Sequence, residues 1–249
     1  MKYVITHQFN YSYDSPVRLS TQYLRLTPRD TTRQKVLAWT VGTPGTALRT
    51  TDGYGNVLHV LTIDKPVTAI AIQAQGSVET AAALDEPSDF TGAPLSPLLF
   101  LRPTALTRAD DALAAFAGKF RRGGETHSGL RELAAAIHER NGAGSAADAA
   151  HKFIACCRCL EVPARYVSGY AYDLTKPNQG VTMHAWCEAW VGDRWRSFDI
   201  AHDSVVGQAH IKIAVGADYL DACPVRGVRV GGGAETLKAQ AQVMAQPQQ

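Results

Sequence analysis

Two residues in a tryptophan-rich segment have the types and the spacing of a general base and its orienting acid. They are His184 and Asp199, and between them Gly192-Asp193 forms a two-residue loop with glycine first. A loop of that kind predicts a hairpin with a type II′ turn. The segment therefore predicts two antiparallel strands that bring its ends together.

The register of this hairpin follows from its turn. If Val191 pairs with Arg194, Ala201 lies opposite His184, and His184 and Asp199 become diagonal neighbours on one face. Diagonal Cα separations of roughly 7–8 Å let a carboxylate reach an imidazole. A histidine held in this way can activate a nucleophile. On the hairpin alone, however, an ordinary cross-strand polar pair is the stronger interpretation.

The elements around the hairpin predict a mixed fold. Period-two alternation begins at Tyr3, a turn is predicted at Asp14-Ser15-Pro16, and further strand-like runs continue to Val78. We interpret this part as an antiparallel β-sandwich-like module. Leu130, Leu133, Ala134 and Ile137 have the spacing of a helix, preceded by another that Thr107 with Asp110 can cap.

A third helix is predicted to begin near residue 145. Ser145 is a plausible N-cap with Asp148 three residues later, and Pro163 forbids continuation. Strands are predicted next at 165–172, 183–191 and 194–200. The predicted organisation is therefore a β-module at 1–85, a proline-marked linker at 86–104, a core with C-terminal strands at 105–230, and a polar tail at 231–249 that Gly231-Gly232-Gly233 makes a flexible exit.

Several motifs in one order resemble the transglutaminase-like family. The run Val162–Tyr170 reads VPARYVSGY, His184-Ala185-Trp186 follows, and Trp195–Asp199 reads WRSFD. The resemblance covers about residues 128–203, and the β-module resembles the region that precedes the core in bacterial members. It implies an α+β fold of papain-like type, in which a nucleophile-bearing helix packs on an antiparallel sheet. It also implies that His184 is the general base and Asp199 its orienting acid.

The same resemblance places an alanine where the family has its nucleophilic cysteine. The family motif, Gly-Val-Cys-Gln/Arg-Asp and then a histidine three residues on, corresponds here to the stretch from Gly144 to His151, with Ala146 at the cysteine position. A methyl group has no lone pair with which to attack a carbonyl, so no acyl-enzyme can form there. Small neighbours and a shortened link after Arg140 favour natural divergence over an engineered Cys→Ala change, and both remain open.

The five cysteines offer no convincing substitute. Cys156, Cys157 and Cys159 lie ten or more residues further along the helix, roughly 15 Å away at 1.5 Å per residue. We interpret these three as small hydrophobic residues, since their side chains diverge too far for a zinc site. Cys187 lies an odd number of residues from His184 and so faces the other side of the strand. Cys223 has no predicted position.

The composition limits which binding partners and which cellular compartment are expected. A formal net charge of +2 gives no reason to expect nucleic acid or a membrane surface. The polar start of the chain does not read as a signal peptide, and odd, clustered cysteines favour a reducing cytoplasm. No metal or organic cofactor is implied. We expect a peptide, protein or small amide as substrate or ligand, and nothing in the sequence indicates an oligomeric state.

Three hypotheses follow for function. The family chemistry is acyl transfer or hydrolysis at an amide through a Cys-His-Asp triad, which the chain as printed is expected not to perform. The alternative is a non-catalytic binding or regulatory protein that keeps the cleft for an amide- or peptide-containing ligand. A purely structural role, with the β-module as docking surface, has no specific support.

Overall fold

The computed structural model describes residues 1–81, 95–123, 126–142, 144–172, 181–204 and 206–246. Five strands come first: β1 (Lys2–Thr27), β2 (Gln34–Gly42), β3 (Ala47–Thr51), β4 (Val57–Ile63) and β5 (Val67–Thr80). Three helices follow two short 3-10 turns: α1 (Asp111–Gly118), α2 (Thr126–Asn141) and α3 (Ala146–Cys159). The rest comprises β6 (Ala164–Tyr172), β7 (Val181–Trp190), β8 (Trp195–Phe198), β9 (His210–Gly216), α4 (Tyr219–Ala222), β10 (Val225–Gly231) and β11 (Glu235–Gln246).

The larger sheet is built on both edges of β1. One edge pairs with β4 and then β5, and the other with β10 and then β11, all antiparallel. β2 pairs with β5, and β3 pairs with β4. The two halves of β1 pack on each other through Phe9, Tyr11, Leu24 and Leu26. This packing gives the module its sandwich-like form.

Two sequence predictions for this sheet are wrong. The predicted turn at Asp14-Ser15-Pro16 does not reverse the chain, because β1 continues through it with only a shift in pairing register. The backbone N–H groups of Asp14 and Ser15 donate to the carbonyls of Ala234 and Gly232 at 3.2 and 3.3 Å. The predicted flexible exit and polar tail are therefore a glycine bend and strand β11.

The bend between β10 and β11 requires glycine. Gly231, Gly232 and Gly233 have φ angles of +88°, +97° and +61°, a region that side chains with a Cβ rarely adopt. They lie beside the irregular point of β1, so β10 and β11 together form one bent strand along its edge. Sequence composition failed here because β11 is largely exposed and polar, which removes the alternating pattern that a buried strand shows.

The predicted helices of the core are confirmed. Asp110 caps α1 by accepting from the Leu113 N–H, and the predicted apolar residues of α2 are buried: Leu130, Leu133, Ala134 and Ile137. Ser145 caps α3 by accepting from the Asp148 N–H. The proline-rich linker predicted at 86–104 lies outside the described residues as far as position 94. None of the helices in the described ranges has both the length and the apolar composition needed to cross a bilayer.

The smaller sheet has the strand order β8-β7-β6-β9 and carries α3 on one face. Phe153 of α3 lies against Phe198, with ring centroids 5.0 Å apart. On the other face a buried ionic group ties the strands together: Glu188 binds the Arg165 guanidinium and the Lys212 ammonium. One hydrophobic cluster joins α1, α2 and α3 to this sheet and to Tyr3 and Ile5 of β1.

Candidate active site

The hairpin from β7 to β8 has the predicted register with a different turn. Cys187 pairs with Phe198 and Trp190 with Trp195, so the pairing predicted from Val191 and Arg194 is confirmed. Gly192 and Asp193 both have positive φ, +61° and +60°. That combination is a type I′ turn, so the predicted type II′ turn is wrong. Aspartate tolerates the left-handed region better than most residues, which allows it here.

The hairpin brings His184 and Asp199 together. His184 Nε2 lies 2.9 Å from Asp199 Oδ2, and both residues are buried, at 8% and 2% exposure. The two residues do not meet as the predicted diagonal pair of a strand ladder. The pairing of β7 with β8 ends at Phe198, and Ala201 does not pair with His184. Asp199 instead forms an isolated bridge with Ser204, and this turn directs its carboxylate to the imidazole.

Two further histidines reach the same carboxylate oxygen, and sequence reasoning missed both. His202 Nδ1 lies 2.8 Å and His210 Nε2 2.9 Å from Asp199 Oδ2. Burial acts to raise the pKa of Asp199, but hydrogen bonds from His184, His210 and His202 outweigh it and hold the pKa well below its usual range. Asp199 is therefore an ionised acceptor, and each of the three imidazoles donates to it.

The segment that leads into His210, the first residue of β9, is held by the β-module. Arg33 is buried between the two sheets, and its guanidinium donates to the carbonyls of Gly207 at 2.6 Å and His210 at 3.1 Å. The Gly207 N–H in turn donates to His210 Nδ1 at 3.3 Å. This contact fixes the tautomer, because the proton of His210 must then be on Nε2, facing Asp199. Burial lowers the pKa of His210, which favours the neutral ring.

Ala146 occupies the first turn of α3, at the wall of a cavity. The cavity has a volume of about 340 Å³, and both Ala146 and His184 line it. The β-module supplies Phe9, Tyr11 and Leu237 to the same wall. The structure thus brings the predicted nucleophile position and the predicted base to one cleft between the core and the β-module.

The other residues of the family-like motif stabilise the start of α3. Asp148 accepts a hydrogen bond from the Ser145 hydroxyl at 2.8 Å. His151 Nε2 accepts from the Tyr219 N–H at 3.1 Å, and its ring lies 5.2 Å from that of Tyr166. Tyr166 and Tyr219 also line the cavity. These contacts shape the cleft without adding a nucleophile to it.

The cysteines occupy three different environments. Cys156 and Cys157 are buried in the core, where burial raises the pKa of the Cys156 thiol to about 12. Cys159 is half-buried beside the same cluster. Cys187 points to the face of β7 opposite to His184, as predicted by strand alternation, and its thiol donates to the Ala150 carbonyl of α3 at 3.3 Å. Cys223, which the sequence could not place, is buried and lines the cleft; its thiol donates to the Val225 carbonyl at 3.1 Å.

Similar proteins of known sequence cover most of the chain. An uncharacterized protein of Mycobacterium leprae is 29% identical over an alignment of 267 positions that covers 94% of this chain and 95% of that protein. An uncharacterized protein of Mycobacterium tuberculosis is 28% identical over an alignment of 275 positions that covers 91% of this chain and 87% of that protein. Neither name assigns an activity.

A solved structure shares the fold. It is a protein from Cytophaga hutchinsonii named, provisionally, a cysteine protease, with a TM-score of 0.77 and 22% identity over 100% of this chain and 92% of that one. Residues 3–79 match the family model of the bacterial transglutaminase-like N-terminal region, and residues 104–200 match that of the transglutaminase-like superfamily. The chain therefore carries a core of the transglutaminase-like superfamily at residues 104–200, with a bacterial transglutaminase-like N-terminal region at residues 3–79 ahead of it.

Proposed function

We propose that this chain is a non-catalytic member of its superfamily that uses the cleft to bind an amide- or peptide-containing ligand. The observation that carries the proposal is Ala146: it lines the cleft with His184, so the cavity is kept where the family's thiol is absent. Alanine cannot form a thioester, and the chemistry that the family performs therefore stops at binding.

The lining of the cleft supports an apolar ligand with a few polar groups. Its walls are mostly aromatic and aliphatic, from residues on both sheets and on α4: Phe9, Tyr11, Tyr166, Met183, Tyr219 and Leu237. The backbone N–H groups of Ala146 and Ala147 belong to the first turn of α3, where no intrahelical carbonyl accepts them. They can donate to an amide carbonyl. We infer a peptide with an apolar side chain next to an amide as the class of ligand.

A second candidate is the family reaction itself, which membership in the superfamily favours. With cysteine at position 146, the thiolate would attack an amide carbonyl, and His184 would take and return the proton while Asp199 holds its ring. An amine or water would then resolve the thioester, giving transfer or hydrolysis. The His184–Asp199 contact of 2.9 Å supports this half of the reaction.

The first experiment separates the two candidates. The unmodified chain and its Ala146→Cys variant are treated with a thiol-directed acylating probe and tested in an amine-acceptor assay. We expect no turnover from the unmodified chain. Labelling of the variant at position 146, with turnover that His184→Ala removes, would mean that the alanine alone prevents catalysis. An inert variant would mean that more than the nucleophile has been lost, which strengthens the binding function.

Cys223 needs a control because its thiol lines the same cleft. Both chains are therefore also prepared with Cys223→Ser, and labelled residues are identified by peptide mass spectrometry. Turnover by the unmodified chain that disappears with Cys223→Ser would overturn the non-catalytic proposal. It would assign the nucleophile to a different element of the fold.

The second experiment measures binding directly. A blocked phenylalanyl-glutamine dipeptide is titrated into the unmodified chain by calorimetry. Ala147→Trp places a large ring in the cleft and should abolish binding, whereas Ala112→Trp, on the exposed face of α1, should leave it unchanged. Equal affinity in the two variants would place the ligand elsewhere on the molecule.

A further inference from the structure

Two histidines of the site have no part in either candidate function. A general base needs one acid to orient it, and Asp199 supplies that to His184. His202 and His210 nevertheless point at the same oxygen of Asp199, at 2.8 and 2.9 Å. Three imidazoles around a single carboxylate oxygen exceed what a Cys-His-Asp mechanism requires.

We propose that His184, Asp199, His202 and His210 form a binding site for a divalent transition-metal ion of the zinc class. One ligand atom from each of the four residues, an imidazole nitrogen or a carboxylate oxygen, lies within 4.8 Å of the other three. The three nitrogens nearest Asp199 Oδ2 are His184 Nε2, His202 Nδ1 and His210 Nε2. Imidazole nitrogens and a carboxylate oxygen are ligands that zinc takes, and four protein ligands complete its tetrahedral coordination. The site is therefore a closed one, which stabilises the fold and leaves no position for substrate.

The present distances require only a local adjustment. Metal–ligand bonds of about 2.0–2.2 Å separate tetrahedral ligand atoms by roughly 3.3–3.6 Å. The Asp199 oxygen must therefore retreat by about half an ångström from each nitrogen, and ligand atoms as far apart as 4.8 Å must approach each other by more than about 1 Å. His184 and His210 are fixed on β7 and β9. His202 lies on the turn after β8 with 58% of its side chain exposed, so it can move to close the site.

Binding changes the protonation of each ring. The three nitrogens that now donate to Asp199 must present a lone pair to the metal, so each proton moves to the other ring nitrogen. For His210 this breaks the long 3.3 Å contact from the Gly207 N–H. For His184 it places the proton on Nδ1, which can then no longer accept one. A metal-loaded site and a general-base His184 are therefore mutually exclusive states.

The ligand set also predicts selectivity. Imidazoles favour zinc, cobalt, nickel and copper, whereas magnesium and calcium require mainly oxygen ligands. The test uses the full chain without an affinity tag, after treatment with a chelator. Zn²⁺ is titrated by calorimetry, and Co²⁺ binding is followed by the visible absorption of four-coordinate cobalt. We expect one ion per chain, no measurable binding of Mg²⁺, and a higher melting temperature with Zn²⁺.

Variants assign the site. His202→Ala should weaken Zn²⁺ binding by more than the roughly 10–100-fold that loss of a supporting contact costs. Its exposed position makes it the variant that best keeps the fold. Asp199→Asn is the second variant, and His59→Ala, which removes a half-buried imidazole from β4, is the control. Absence of stoichiometric binding, or equal loss in His202→Ala and His59→Ala, would overturn the proposal.

The test of the metal site is independent of the proposed binding of an amide ligand. The metal titration detects the ion directly on the unmodified chain and needs neither a nucleophile nor a peptide. Addition of Zn²⁺ to a labelling-competent Ala146→Cys variant gives a further check, because occupancy of His184 should suppress labelling. Unchanged labelling at saturating Zn²⁺ would contradict the assignment of His184 as a ligand.

Discussion

The two sides of the cleft differ in how their polar groups are held. At the start of α3 the side chains are small, and the side chains of Ser145 and Asp148 hydrogen-bond to each other and within the first helix turn. On the hairpin side, Asp199 is buried and accepts from three imidazoles on three different segments. The predicted acid–base side is therefore buried and tied to several segments of the fold, whereas the predicted nucleophile side is a more exposed helix start held by local contacts.

The largest loss of stability is expected on the hairpin side of the cleft, at Asp199. Asp199→Asn removes the charge that three donors share, and breaking a buried, hydrogen-bonded pair costs about 3–5 kcal/mol of unfolding free energy. Asp203→Asn, at an exposed position of the same turn, should cost less than about 0.5 kcal/mol. Both are measured by denaturant unfolding with a chelator present. Similar losses for the two variants would mean that the cluster does not stabilise the fold.

The next largest loss of stability is pH-dependent and arises at the contact between the β-module and the core. His7 is buried with Nδ1 3.0 Å from the Tyr170 hydroxyl, and burial lowers its pKa from 6.5 to about 4. Between those two values the unfolded chain binds a proton that the folded chain does not, so stability decreases as the pH falls through this window. The loss should reach about 3 kcal/mol near pH 4.

The matched variant isolates this titration. His7→Gln keeps a polar side chain that does not titrate, so its stability should lack the His7 part of the pH dependence. The difference in unfolding free energy between the two chains is measured from neutral pH down to pH 4. A difference that stays constant over this range would contradict the buried, neutral His7.

A smaller effect is expected at the nucleophile side. Ser145→Ala removes the hydroxyl that accepts from the Asp148 N–H at 3.0 Å, and loss of such an N-cap costs about 1 kcal/mol. Thermal unfolding measures it, with Ser77→Ala on a strand of the β-module as a control that removes a hydroxyl without removing a cap. A cost as large as that of Asp199→Asn would remove the contrast between the two sides.

The smallest effect is that of Ala146→Cys on stability. Ala146 is half-buried and borders the cleft, so a thiol has room and the unfolding free energy should change by less than about 0.5 kcal/mol. A larger loss would mean that the cleft has closed around the methyl group. The probe experiment would then have to be interpreted on a destabilised chain.

The parts of the site that were predictable depend on short-range geometry. The register of the hairpin follows from the two-residue loop at Gly192-Asp193, and α3 from the cap at Ser145 and the periodicity behind it. The closeness of His184 and Asp199 was predicted for the same reason. The turn type was not predicted correctly. A single glycine at the first loop position indicated one residue with positive φ, whereas both Gly192 and Asp193 have positive φ.

The parts that were missed depend on where distant segments meet. His210 reaches Asp199 because β9 pairs with β6 rather than with β8, and Cys223 reaches the cleft because α4 follows β9. No local pattern encodes these placements. His202 gave a faint signal, three residues after Asp199, but its meaning required the turn that Asp199 forms with Ser204. Strand β11 was missed because its exposed face is polar.

The pairing of β1 with β11 has a consequence for the order in which the chain folds. Lys2 pairs with Gln246, so one edge of the first strand is completed by a segment far along the chain, Glu235–Gln246. The other edge pairs with β4 and β5, which follow it closely in sequence. Contacts of such different sequence separation form at different rates. We expect pulsed hydrogen exchange during refolding to protect the amides of β5 early and those of β11 last.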